Sequence, residues 1–173
     1  MLFCILIIIG IVVLDQVSKL LVVKLLNPTE PFVLIKNVFR FSYLENDGAA
    51  FGMLDDHRWV FMLLSVVGIL ALCIYLWKIL PQNNKLADIA LCFVIGGGIG
   101  NMIDRVRLGY VIDFIDFYAF PSLWRWVFNV ADAFVCVGAG MLILYLVLDI
   151  VKESRAEKAV TQENGESTGD ENA

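Results

Sequence analysis

Apolar residues fall in four long blocks along this chain, 2–26, 59–80, 86–103 and 130–151, separated by two longer mixed stretches, 27–58 and 104–129, and by the short link PQNNK. A bilayer core takes about 20 apolar residues of helix, so each block predicts one membrane-spanning helix. Four spans return the chain to its starting side, with both ends and PQNNK on one side and the two longer stretches on the other. Within the first of these, PFVLIKNVFRFSYLENDGAAFGM, the period changes: Phe39, Phe41 and Tyr43 alternate with Arg40 and Ser42, and Asn46-Asp47-Gly48 follows as a turn signal. That alternation predicts strands, hence a small β-sheet lying at the membrane surface beside the four-helix bundle. The expected organisation is a single domain over 1–151, with its β-rich loop at 27–58, and an acidic, disordered tail over 152–173 where the apolar pattern has stopped.

Composition agrees with the pattern. Hydrophobic residues make up 60% of the chain, well above the roughly 45–50% usual in soluble domains, which predicts an α-helical integral membrane protein. The net charge of -5 is concentrated in the tail, where Glu153, Glu157, Glu163, Glu166, Asp170 and Glu171 outnumber Lys152, Arg155 and Lys158. The remainder is near neutral, so no basic patch points to nucleic acid. Lysines and arginines divide evenly between the two sides and do not orient the protein. Cys4, Cys73, Cys92 and Cys136 all lie in apolar runs without C-x-x-C spacing, which reads as packing and not as disulfides or a metal site. The first block lacks a basic start and a small-residue cleavage site, so it is expected to remain as an anchor.

Ionisable groups inside a membrane are costly and therefore functional candidates. In the first block Asp15, Ser18, Lys19 and Val22 share one helical face, as either an internal ion pair or part of a site. In the third, GGGIGNMIDR places Gly97, Asn101, Asp104, Arg105 and Leu108 on one face, and Gly96 with Gly100 forms a G-x-x-x-G that predicts close helix approach. The loop LGYVIDFIDFYAF, with Gly109 as its turn, sets Asp113 and Asp116 among apolar neighbours that would raise a carboxyl pKa by desolvation. The last block opens on FNVADAF, where Asn129 and Asp132 have the spacing of a helix cap.

Other chemistries are poorly served. His57, in the turn LDDHRW, is the only histidine, which excludes an H-E-x-x-H zinc site. Ser18 and Lys19 are helix neighbours pointing about 100° apart, a poor Ser/Lys dyad. No P-loop or cofactor motif is present. What remains is Asp104, Asp113, Asp116 and Asp132 on one side of the membrane. Two carboxylates close together share a proton and can activate water. Spacing alone fits an aspartyl hydrolase, equally a proton-coupled channel or carrier, and also a scaffold in which Asp132 is only a cap.

The segments LDQVSK (14–19), ENDGAAFG (45–52), GGGIGNMIDRVRLGYVIDFIDF (96–117) and FNVADAF (128–134) resemble, in the same order, the motifs of the lipoprotein signal peptidases, signal peptidase II. The resemblance implies a cofactor-free bacterial membrane aspartyl protease with four transmembrane helices and a small extracytoplasmic sheet. It implies prolipoprotein substrates carrying a diacylglyceryl-modified cysteine, cut just before that cysteine. The catalytic pair is implied at Asp113 and Asp132. Site-supporting positions are implied at Asp15, Lys19, Asn46, Gly48, Asn101, Arg105, Asn129 and Ala131, with no metal. A monomer among lipids of the cytoplasmic (inner) membrane is expected, with both termini cytoplasmic and the site toward the extracytoplasmic face. The chain departs from the family's usual pattern at Arg125-Trp126-Val127-Phe128 and at Ala133.

Overall fold

The computed structural model describes residues 2–26, 30–47, 58–79, 84–119 and 126–170. Helix α1 spans Leu2–Leu26, α2 Arg58–Ile74, α3 Lys85–Arg107 and α4 Val130–Asp170, and α2 continues as a wider π-helical stretch over Tyr75–Ile79. Among the described residues three helices, Leu2–Leu26, Lys85–Arg107 and Val130–Arg155, are long and apolar enough to cross a membrane, and Met62–Lys78 is a shorter apolar helix. Their outward faces are apolar and exposed, as at Leu6, Val13, Leu63, Leu146 and Leu148, a surface suited to lipid.

Helix α3 occupies the centre. Ala87, Ala90, Leu91, Cys92, Ile95, Gly96, Gly97 and Gly100 are all buried along it. Asn84 caps its start by accepting from the Leu86 and Ala87 amides at 3.2 and 3.4 Å. Its end runs one turn past the expected residue 103, carrying Asp104 and Arg105 on regular helix, with basic residues in the last turn where the helix dipole favours them. Gly109 then takes φ 90°, a left-handed turn that glycine adopts without a Cβ penalty.

The predicted G-x-x-x-G contact is present, and it serves three helices. A Cβ on Gly96 would meet Ile11 of α1 at 3.0 Å, and one on Gly100 would meet Asp15 Oδ2 at 2.6 Å and the Ala131 Cβ of α4 at 3.2 Å. On α4, a Cβ on Gly138 would lie 2.7 Å from the Ala90 carbonyl oxygen.

The sheet is antiparallel, in the order β1 (Phe32–Ile35), β2 (Phe39–Asn46), β3 (Val111–Phe117) and β4 (Val127–Phe128). The first loop supplies only half of it, so the expectation of a sheet built there is extended by two strands from the second loop. The β1–β2 turn passes through Asn37 at φ 61°, a conformation asparagine tolerates better than most residues. The Gly48 turn and His57 lie outside the described residues. Where a disordered tail is expected from Lys152, the α4 backbone is continuous helix to Asp170. Its segment KESRAEKA consists mostly of good helix formers, and the first glycine comes only at Gly165.

Close approach of α3 and α4 makes a testable difference between two glycines. Gly138→Ala is expected to lower stability in detergent by about 1–3 kcal/mol through overpacking. Gly10→Ala, on the exposed side of α1 with nothing within 4 Å, should leave the melting temperature unchanged or slightly raised. Equal melting of the two variants would overturn this account of the α3–α4 seam.

Candidate active site

The site forms where α1, α3, the start of α4 and strand β3 meet. At its base is Lys19, 2% exposed. Its ammonium reaches Asp104 Oδ2 at 2.8 Å, Asp15 Oδ2 at 2.9 Å and Asn101 Oδ1 at 3.0 Å, so all three of its protons have acceptors. Asp15 turns its other oxygen to the Ala131 amide at 2.9 Å, satisfying an orphan donor in the first turn of α4 from a different helix. Gln16 closes the cluster, donating to Asp104 Oδ1 at 2.9 Å and to Asp15 Oδ2 and the Gly100 carbonyl at 3.2 Å each.

The start of α4 is a capping box in which aspartate stands where Glu or Gln is usual. Asn129 Oδ1 accepts the Asp132 amide at 2.9 Å, and Asp132 Oδ2 accepts the Asn129 amide at 3.2 Å. The cap uses only one carboxylate oxygen. Asp132 Oδ1 receives Asn101 Nδ2 at 2.7 Å. Asp113, on β3 and 1% exposed, receives Asn129 Nδ2 on Oδ1 and Asn46 Nδ2 on Oδ2, both at 2.7 Å.

Donor-only groups define how the two central amides point. Lysine has only protons to give, so Asn101 presents its oxygen to Lys19 and its amide hydrogens to Asp132. The Asp132 backbone N–H likewise holds Asn129 Oδ1, which turns Asn129 Nδ2 toward Asp113 and Asn101 Oδ1, the latter at 3.0 Å. Among the described residues no buried side-chain nitrogen or oxygen lacks a partner.

Burial pushes the Asp113 carboxyl up to about 6 from the ordinary 3.8; the nearby Asp132 charge adds to the rise, while the Asn46 and Asn129 amides and Lys19 oppose it. Asp116 is three residues along the same strand and therefore on the opposite face. It pairs with Arg40 at 2.5 Å, and Arg40 also lies 4.7 Å over the Tyr118 ring.

The structure thus gathers Asp15, Lys19, Asn46, Asn101, Asp113, Asn129, Ala131 and Asp132, and leaves Asp116 out. Arg105 is half-buried in the last turn of α3 and makes no ion pair among the described residues. Gly48 lies outside the described residues. Gln16 was missed in the sequence, where a polar residue next to Asp15 inside an apolar helix was the available signal. Among the described residues no group of His, Cys, Asp or Glu is arranged to hold a metal ion. Beside the site, an apolar groove of about 540 Å³ runs between α1 and the sheet, walled by Leu21, Val22, Leu25, Phe32, Phe41 and Phe114, the residue after Asp113.

Residues 7–148 match the family model for signal peptidase (SPase) II. The chain is 48% identical over 138 residues to the lipoprotein signal peptidase of Caldanaerobacter subterraneus subsp. tengcongensis, covering 80% of this chain and 90% of that protein. To the lipoprotein signal peptidase of Clostridium tetani it is 42% identical over 151 residues, covering 87% and 96%. A solved bacterial membrane enzyme superposes with a TM-score of 0.76 at 30% identity, covering 86% of this chain and 89% of that one.

The Asp113 environment sets a pH dependence. Its folded value, about 6, lies above its ordinary 3.8, so the unfolded chain releases this proton first. The contribution of the protonated side chain to stability is full below about pH 4 and is lost as pH rises through about 6. Wild-type melting temperature is therefore expected to fall between pH 4 and 7 relative to Asp113→Asn, which lacks this titration. Parallel pH profiles of melting in the two proteins would contradict it.

Proposed function

The chain belongs to the signal peptidase II family, and from that membership we propose that it is an intramembrane aspartyl endopeptidase whose catalytic pair is Asp113 and Asp132. The observation that carries this reading is the shared amide pair. Asn101 and Asn129, hydrogen-bonded to each other, each direct an Nδ2 donor at one of the two carboxylates. The carboxylates come from a strand and a helix start and are close enough for the charge on one to shift the other.

In the proposed reaction the two carboxylates hold one proton and a water between them. The ionised member takes a proton from the water as it attacks the scissile carbonyl while the protonated member gives its proton to the developing oxyanion; on collapse the proton taken from water passes to the leaving amine and the hydroxyl proton returns to the other carboxylate, restoring the pair. Asn101 and Asn129 keep the pair oriented, and Arg105, in the last turn of α3, supplies a further donor to substrate. Asp15, Lys19, Asn46 and Ala131 hold these groups in place, and Gly48 is assigned a supporting role from family membership alone.

The substrate is a prolipoprotein whose cysteine carries a diacylglyceryl group, cut immediately before that cysteine. The apolar groove next to Asp113 and the lipid-facing helices support an acylated substrate reaching the site from within the bilayer. We place the sheet and site at the extracytoplasmic face of the inner membrane, with both termini cytoplasmic, and take the working unit to be a monomer of residues 1–151.

Purified protein incubated in detergent with a lipid-modified prolipoprotein tests this. Wild type is expected to cleave, with or without EDTA, and Asp113→Asn and Asp132→Asn each to lose at least about a thousandfold. Full cleavage by either variant rejects the pair. A wild-type protein that never cleaves, yet carries ion flux in liposomes, establishes the channel or carrier instead. If Asp132 were only a cap, Asp132→Asn would cost about 1 kcal/mol or less of stability and no activity.

A further inference from the structure

Asp104 is a buried carboxylate that the proposed reaction does not use. Its neighbour Lys19 is already neutralised by Asp15 at 2.9 Å, so a second carboxylate on the same ammonium leaves a net negative charge buried. Burying a charge beyond what pairing requires is unfavourable, and neutralising Lys19 therefore does not account for Asp104. Its other contacts do. Asp104 Oδ2 accepts the backbone N–H of Ile112 at 3.2 Å, one residue before Asp113 on β3. Among the described residues no strand lies beside β3 at that point on its β4 edge, since β4 pairs only with Ile115 and Asp116.

We propose that Asp104 is a positioning residue that sets both members of the catalytic pair at once: it fixes Asp113 through the Ile112 amide, and Asp132 through Lys19 and Asn101. One route is backbone, from the last turn of α3 to β3. The other is side chain, from Asp104 Oδ2 to Lys19 at 2.8 Å, from Lys19 to Asn101 Oδ1 at 3.0 Å and from Asn101 Nδ2 to Asp132 Oδ1 at 2.7 Å. Gln16 holds the remaining Asp104 oxygen at 2.9 Å and so determines which oxygen faces the two routes. The inference rests on the assignment of Asp113 and Asp132 as the pair.

Steady-state cleavage of a lipid-modified prolipoprotein by the full chain in detergent tests it, with Asp104→Asn as the variant. Asparagine keeps the size and one acceptor oxygen, but it cannot serve Lys19, Ile112 and Gln16 together. The expected result is a kcat per folded molecule lower by about tenfold to a hundredfold with KM within about twofold, together with faster amide exchange over residues 111–117. A role confined to holding the fold predicts a lower melting temperature with kcat per folded molecule at the wild-type value, and that result overturns the proposal. If Asp104→Asn yields no folded protein, Gln16→Leu carries the test, since it leaves Asp104 in place and removes the donor to its Oδ1 along with the longer contacts to Asp15 Oδ2 and the Gly100 carbonyl; kcat is expected to fall by roughly threefold, and an unchanged kcat overturns the proposal. Activity in Asp113→Asn or Asp132→Asn rejects the pair itself, whereas inactivity there with wild-type kcat in Asp104→Asn rejects only the positioning role.

Discussion

An ammonium group at the depth of a membrane helix has no water to turn to, and the architecture follows from how that of Lys19 is satisfied. Its own helix supplies one acceptor, Asp15, and α3 supplies the other two, Asp104 and Asn101. For α3 to bring them within 3.0 Å, its backbone has to lie almost against α1. Glycine at position 100 permits this, because any Cβ there would collide with the Asp15 carboxylate. The same carboxylate takes up the Ala131 amide, which draws in the start of α4. Helix packing and site assembly are thus a single constraint, and a change to either acts on both.

How much of this was legible in the sequence depended on whether one local pattern determined the answer. Apolar blocks of about 20 residues in so hydrophobic a chain leave little alternative to a bundle of membrane helices, and the glycines at 96 and 100 announced close approach. The second half of the sheet was hidden. VIDFIDF carries its polar residues three apart, which matches neither the alternation of a half-exposed strand nor a helical face, because the two aspartates serve opposite faces: Asp113 faces the asparagines and Asp116 faces Arg40. Spacing likewise could not sort four aspartates of identical chemistry. The resemblance to a family singled out two of them; in the structure Asp104 is bound to Lys19 and the Ile112 amide and Asp116 to arginine, while Asp113 and Asp132 share the two linked asparagines. Gln16 escaped notice because it joins the cluster from the edge of the polar face of α1, where sequence spacing alone separates a buried partner poorly from an interfacial one.

The opening of α4 shows why a structural and a chemical reading of one residue need not compete. A carboxylate has two oxygens, and an N-terminal cap needs only one. Asp132 gives Oδ2 to the Asn129 amide and leaves Oδ1 facing Asn101. The cap therefore does for Asp132 what a supporting residue would otherwise have to do, holding the side chain in one rotamer at a fixed height above the site. Asn129 is used in the same way, its oxygen engaged in the cap and its nitrogen directed at Asp113. The proposed pair, from one strand and one helix start, then takes its orientation from the cap: Asp132 directly through the Asn129 backbone N–H, and Asp113 through the Asn129 side chain that the cap holds. That economy has a consequence for how the site tolerates change. Asp132→Asn keeps an acceptor for the cap but sets an amide donor against Asn101 Nδ2, so the helix start survives a change that the site itself feels.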